Sequence, residues 1–167
     1  MRDNIIDASV RTLTAAGLEG WSLQQVATAA GCAKGLVIHY FGTKASLLLE
    51  TGERIAAIRA QRRLQAVGTR GTAGIDRLWQ VIADDAAMGT TAAALALASH
   101  GIPSRRPGDP ADLHAAMALC LGIPPDSLAA PLALTAMLEG VELQLVRGTP
   151  VGAVRATFDR LWLSLIE

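Results

Sequence analysis

The segment from Ser22 to Lys44 constrains the chain more than any other, because its capping and turn residues admit only two short helices in tandem. Ser22-Leu-Gln-Gln25 is a capping box, in which the serine hydroxyl covers an early helical N–H and Gln25 reaches back to the cap. The apolar positions Leu23, Val26, Ala27 and Ala30 fall on one face of the helix that follows, and Gly31 supplies the residue that ends it. Beyond Gly31-Cys32-Ala33 a second short helix is expected over 33–40, burying Val37 and either Tyr40 or Phe41. Thr43 then caps a long helix able to run to Gly68. Ahead of the pair, Ile6, Val10 and Leu13 recur at helical spacing, so 3–16 reads as an amphipathic first helix with Gly17 as its stop. Two short helices held by a tight turn follow the helix-turn-helix plan, in which one helix crosses a DNA backbone and the next enters the major groove.

Composition agrees on class and disagrees on partner. Of 167 residues, 51% are apolar and 18% charged, enough for a sizeable core, and alanine and leucine dominate while aromatics make up 4%. The fold class expected is all-α. Lysine plus arginine equals aspartate plus glutamate at 15 each, a balance that does not by itself announce a nucleic-acid binder. The charges are unevenly spread: Arg54, Arg59, Arg62, Arg63 and Arg70 face Glu53 alone in the segment 51–70, whereas the remainder is acidic. From Lys44 to Arg59 is roughly 22 Å of helix, so Arg59, Arg62, Arg63 and Arg70 are expected on a solvated face or against the acidic C-terminal half rather than on DNA.

The rest of the chain is helices separated by glycine and proline. Helices are expected over 72–88, with Gly89 as the stop, and over 91–100. Three prolines and two glycines make 101–110 a surface loop, and Asp109-Pro110 opens a helix through Leu121. Asp126 caps a helix to about Val146, in which Pro131 either kinks the first turns or marks the true start. Thr149-Pro150 opens the last helix. The polar N-terminus lacks the apolar stretch of a secretory signal and no segment is long enough to span a bilayer, so a cytoplasmic location without membrane contact is expected. Cys32 and Cys120 have no framework or metal spacing and read as core fillers; neither metal nor cofactor is expected.

With Ala8, Gly17, Ser22, Val26, Ala27, Gly31, Lys34, Gly35, Val37, Tyr40, Phe41, Thr43, Lys44, Leu47 and Leu48 in place, residues 2–48 resemble the DNA-binding domain of the TetR (tetracycline repressor) family of bacterial regulators. The pattern departs at Ala33, where a capping serine is usual, at Ile38, where a phosphate-contacting tyrosine is usual, and ahead of the first helix, where only Arg2 stands for a basic arm. The resemblance implies a three-helix DNA-binding domain over 1–48 and a helical effector-binding and dimerisation domain over 49–167.

Physics and resemblance together assign Ser22, Gln24, Tyr40, Thr43 and Lys44 to the DNA backbone and Lys34, Leu36 and His39 to base edges. Tyr40 also suits a core position, and Lys34 and His39 an ordinary solvated surface. In the second half, Trp79, Met88, His100, His114, Met117 and Cys120 are candidate lining groups for a small apolar effector, with ordinary core as the alternative for Trp79, Met117 and Cys120. Asp84-Asp85 reads as a solvated pair, since neighbouring helical residues point apart.

The family's last two helices, here 128–146 and 150–166, form a four-helix bundle with those of a partner. Leu134, Met137, Leu138, Val141, Leu145, Phe158, Leu161, Trp162 and Leu165 offer more apolar surface than one helix pair buries, which makes them the expected homodimer interface. A dimer implies a palindromic double-stranded operator. The expected function is a ligand-responsive DNA-binding transcriptional regulator, a repressor released by its effector, and not an enzyme. The alternative is a helical ligand-binding or protein-interaction module whose DNA-reading surface is weakened at Ala33 and Ile38.

Overall fold

Glycine and proline set the helix boundaries. The computed structural model describes residues 1–68, 71–103 and 109–163, without the side chain of Trp162. They form α1 (Arg2–Gly20), α2 (Leu23–Ala30), α3 (Lys34–Phe41), α4 (Lys44–Val67), α5 (Thr72–Ala87), α6 (Thr90–Ser99), α7 (Asp109–Leu121), α8 (Pro131–Val146) and α9 (Val151–Leu163), with a 3₁₀ turn at Pro125–Ser127. No strand occurs among the described residues, so the fold is all-α as expected. Gly17 breaks α1 where the sequence placed its stop, with φ 68° and ψ 178° inside the span. Pro131 marks the true start of α8, where its missing N–H is no loss.

The same C-terminal device recurs. Behind α2 the Gly31 N–H donates to the Thr28 carbonyl at 3.1 Å and the Cys32 N–H to the Ala27 carbonyl at 2.9 Å, the two bonds of a Schellman motif. Equivalent pairs of bonds close α6 at Gly101, α7 at Gly122 and α8 at Gly148.

Two compact units result, one formed by residues 1–58 and 88–106, the other by 59–87 and 107–167. In the first, α1 packs on α2 and on α6, and α2 packs on α3. Ile5, Leu13, Trp21, Val26, Val37, Phe41, Leu47, Ile55 and Leu97 make its core. A buried polar chain crosses that core: Trp21 Nε1 donates to Ser9 Oγ at 3.0 Å, Ser9 Oγ lies 2.7 Å from Thr51 Oγ1, and Thr51 Oγ1 donates to the Leu47 carbonyl at 2.6 Å. Each hydroxyl is thereby satisfied where an unpaired one would be costly.

In the second unit α5, α7 and α9 all pack on α8. Leu78, Trp79, Ile82, Met117, Leu134, Leu138, Val141 and Phe158 fill its core, with the rings of Trp79 and Phe158 5.4 Å apart. The expected pairing with acidic residues of the later chain is seen for Arg59, Arg62 and Arg63, while Arg70 lies outside the described residues. Arg59 and Arg63 both reach Glu142, and Arg62 reaches Asp85. The reading of Asp84-Asp85 as a solvated pair needs correction. Asp84 is exposed, but Asp85 is fully enclosed, because its side chain points inward to meet Arg62. Burial holds the Asp85 carboxyl above its ordinary value, with the Arg62, Arg59 and Arg63 guanidiniums pulling it the other way.

Candidate nucleic-acid interface

The turn between α2 and α3 is built from both sides. At the start of α2 the Gln25 N–H donates to Ser22 Oγ at 3.3 Å, while the Ser22 hydroxyl donates to Gln25 Oε1 at 3.0 Å. The capping box is therefore present, closed through the glutamine side chain and the serine hydroxyl rather than through the cap's backbone N–H. At the end of α2, Asn4 Nδ2 donates to the Ala30 carbonyl at 3.0 Å and Arg11 Nη2 to the Ala29 carbonyl at 3.5 Å. Asn4 and Arg11 thus fasten α1 to the last turn of α2, a role that helical periodicity in α1 does not reveal.

α3 follows with Ala33 at its cap and no side-chain hydrogen bond there, so its first N–H groups are left without a capping side chain. Val37 and Phe41, four residues apart, are buried, whereas Lys34, Gly35, Ile38 and His39 are exposed. Tyr40 is 40% exposed, which makes Phe41 and not Tyr40 the buried aromatic of this helix. Leu36 is half-buried. The His39 and Tyr40 rings meet edge-on with centroids 5.6 Å apart.

α4 starts at a second side-chain cap, the Ser46 N–H donating to Thr43 Oγ1 at 3.0 Å. Lys44 projects back so that Nζ lies 5.5 Å from the centre of the Trp21 ring. Trp21 precedes the Ser22 cap, so the starts of α2 and α4 are neighbours. Ser22 is half-buried, and Gln24, Thr43 and Lys44 are exposed.

Other cations of this region are occupied within the protein. Arg2 pairs with Glu50 and lies 5.2 Å over the Phe41 ring, and Arg54 pairs with Asp3 at 2.9 Å and with Asp7 at 3.6 Å. Lys34 and Lys44 enter no ion pair among the described residues. A surface results with exposed lysines, capped helix starts and an uncapped α3 start, all features that suit phosphate oxygens.

The effector candidates fall in different units. Met88, 54% exposed, and His100, whose Nδ1 lies 2.9 Å from the Ala96 carbonyl, belong to the first. Trp79, His114, Met117 and Cys120 belong to the second and are buried there. The Cys120 thiol donates to the Gly71 carbonyl at 3.4 Å, and burial raises its pKa. His114 Nε2 is buried without a hydrogen-bond partner among the described residues.

Among the dimer candidates, Leu134, Leu138, Val141 and Phe158 are enclosed in the core of their own unit, and Met137 and Leu145 pack partly against it. Leu161 is 39% exposed. Leu165 and the Trp162 side chain lie outside the described residues. Between α8 and α9 runs a groove of about 440 Å³, walled by the small residues Ala136, Gly140, Ala153 and Thr157 and by Met137 and Leu161.

No single helix among the described residues is long and apolar enough to cross a membrane. Nor do three or more His, Cys, Asp or Glu side chains gather there as metal ligands.

Residues 5–51 match the family model of bacterial regulatory proteins, tetR family. Among curated proteins, the chain is 41% identical over 69 residues to the HTH-type transcriptional regulator BetI of Burkholderia ambifaria, covering 39% of this chain and 36% of that one. To BetI of Burkholderia thailandensis it is 46% identical over 50 residues, 30% of this chain and 26% of that one. The matches span about a third of those relatives' length.

Solved structures extend the likeness to the whole chain. A TetR family transcription regulator from Marinobacter aquaeolei VT8 superposes with a TM-score of 0.65 at 16% identity, covering 99% of this chain and 95% of that one. The multidrug binding protein EbrR complexed with imidazole gives 0.63 at 24% identity, over 99% and 89%. At these identities the likeness establishes the fold.

Proposed function

We propose, from the premise that residues 5–51 are a TetR-family DNA-binding domain, that this chain is a ligand-responsive transcriptional regulator working in the cytoplasm, and not an enzyme. The observation that carries the reading is the outer face of α3, which presents exposed Lys34 and His39 and half-buried Leu36 from a turn fixed at both ends, beside the Thr43 and Lys44 start of α4. In this reading Lys34, Leu36 and His39 face base edges, and Ser22, Gln24, Tyr40, Thr43 and Lys44 hold the phosphate backbone.

The protein acts as a homodimer on a palindromic operator, with two recognition helices about 34–36 Å apart. The α8–α9 groove supports that assembly: its small side chains let a second copy's helices approach closely, and Met137 and Leu161 supply apolar contact. Leu145 extends the same proposed interface, to which Trp162 is assigned from the sequence alone. A small, largely apolar effector enters the second unit, where Trp79, Met117 and Cys120 give apolar walls and His114 Nε2, without a hydrogen-bond partner among the described residues, one polar contact. Binding there shifts the population toward dimers whose heads no longer match the operator spacing, which makes the protein a repressor released by its ligand.

Selection from a pool of randomised duplexes, repeated at two salt concentrations, tests the reading. Enrichment of a palindrome with steeply salt-dependent affinity is expected. Weak binding indifferent to sequence would overturn it in favour of a helical ligand-binding or protein-interaction module whose DNA-reading surface is weakened.

A further inference from the structure

We propose that Ile38, with Gly35 leaving room beside it, reads a thymine 5-methyl group in the major groove; the inference rests on the DNA-binding reading above and adds a specificity-determining residue to it. On α3 the buried Val37 and Phe41 define the inner face, and Gly35 and His39 lie on the opposite one. Ile38 is the surface neighbour of Gly35 at i+3 and of Lys34 at i+4. It is 45% exposed and stands outside the apolar cluster that fills this unit.

Folding does not favour either residue at its position. A β-branched side chain on a solvated helix face is a weaker helix former than alanine, leucine or lysine. Glycine inside a helix is weaker still. Gly35 is not among the glycines with positive φ, and a Cβ added to it meets nothing within 4 Å. The backbone and the packing would therefore both accept alanine. What a missing Cβ does provide is a closer approach of the helix to something outside the protein. Beside that opening, an unpartnered aliphatic side chain cannot hydrogen-bond a phosphate. It can pack on the C5-methyl of thymine, the apolar feature of the major-groove edge, while neighbouring Lys34 reaches a base acceptor such as O4 of thymine or O6/N7 of guanine.

Duplex selected by the wild-type protein from a randomised pool is resynthesised with deoxyuridine replacing each thymidine in turn, which removes the methyl and keeps base pairing. At one symmetry-related thymine per half-site, the wild-type protein is expected to bind about fourfold more weakly for each methyl lost. Ile38→Ala should bind the thymine duplex more weakly and no longer distinguish thymine from uracil at that position. Gly35→Ala should raise thermal stability while weakening operator binding, a pairing that a merely structural glycine does not produce. Circular dichroism of both variants checks that the helices persist.

Equal affinity of wild-type protein for thymine and uracil at every position overturns the inference alone, as does unchanged discrimination in Ile38→Ala. Failure of the wild-type protein to select any sequence overturns the regulator reading, and this inference with it.

Discussion

Arg59 of α4 and Glu142 of α8 meet in the interior of the second unit, where a single guanidinium nitrogen, Nη2, donates to both carboxylate oxygens at 2.9 and 2.8 Å. The two side chains are 8% and 2% exposed, and Arg63 reaches the same carboxylate. A charge so enclosed is tolerated only with its counter-charge in place.

Removing that carboxylate takes away the counter-charge that meets the enclosed Arg59 and that Arg63 also reaches. Glu142→Ala is therefore expected to destabilise the protein by about 3–5 kcal/mol. Urea denaturation of the two proteins provides the check. A loss below about 1 kcal/mol, the range of a surface pair, would contradict the enclosed arrangement.

Asp85 gives the opposite expectation for charge removal. Its carboxyl is held above its ordinary 3.8 by burial, so the folded state binds a proton that the unfolded state has already released. Its contribution to stability is complete below that ordinary value and is lost as pH rises through the folded-state pKa. Asp85→Asn does not titrate and keeps an oxygen for Arg62. The stability of wild-type protein relative to this variant should thus fall as pH is raised from about 4 toward neutrality. Chemical denaturation across that range measures it, and a difference that grows in favour of the wild type with pH would contradict the burial argument.

At Gly89 the turn between α5 and α6 meets α1 at Thr14. Its φ is +76°, and an added Cβ would lie 2.4 Å from the Thr14 carbonyl oxygen. Gly89→Ala combines backbone strain with overlap, for an expected loss of about 1–3 kcal/mol. Differential scanning calorimetry should show a lower Tm. An unchanged or raised Tm would mean that α1 and the turn do not approach this closely.

These relationships mark how far the sequence is legible. Caps and stops are local, so Ser22, Gly31 and Thr43 announce helix boundaries, whereas Pro131 leaves a kink and a start both open and Asp126 falls in the 3₁₀ turn ahead of α8. Residues that act across the fold leave no such trace. Asp85 looks like half of a solvated pair until α4 delivers Arg62 to it. Leu134, Leu138, Val141 and Phe158 carry a period that marks them as buried, but the period does not say whether α5 and α7 or a second molecule covers them. The α3 surface is legible through its motif, whereas the diversion of Arg2 to Glu50 and Phe41, with Lys34 and Lys44 in no ion pair among the described residues, appears only in three dimensions.

In the proposed function α3 and the start of α4 grip DNA through Lys34 and Lys44. Titration of the selected operator with wild-type protein and with Lys34→Ala/Lys44→Ala, over a series of salt concentrations, tests it most directly. The variant should remain a folded dimer, lose operator binding, and show any residual binding with a shallower salt dependence, by roughly one unit of log–log slope for each phosphate contact removed. A variant that binds the operator with wild-type affinity and an unchanged salt slope would contradict the claim.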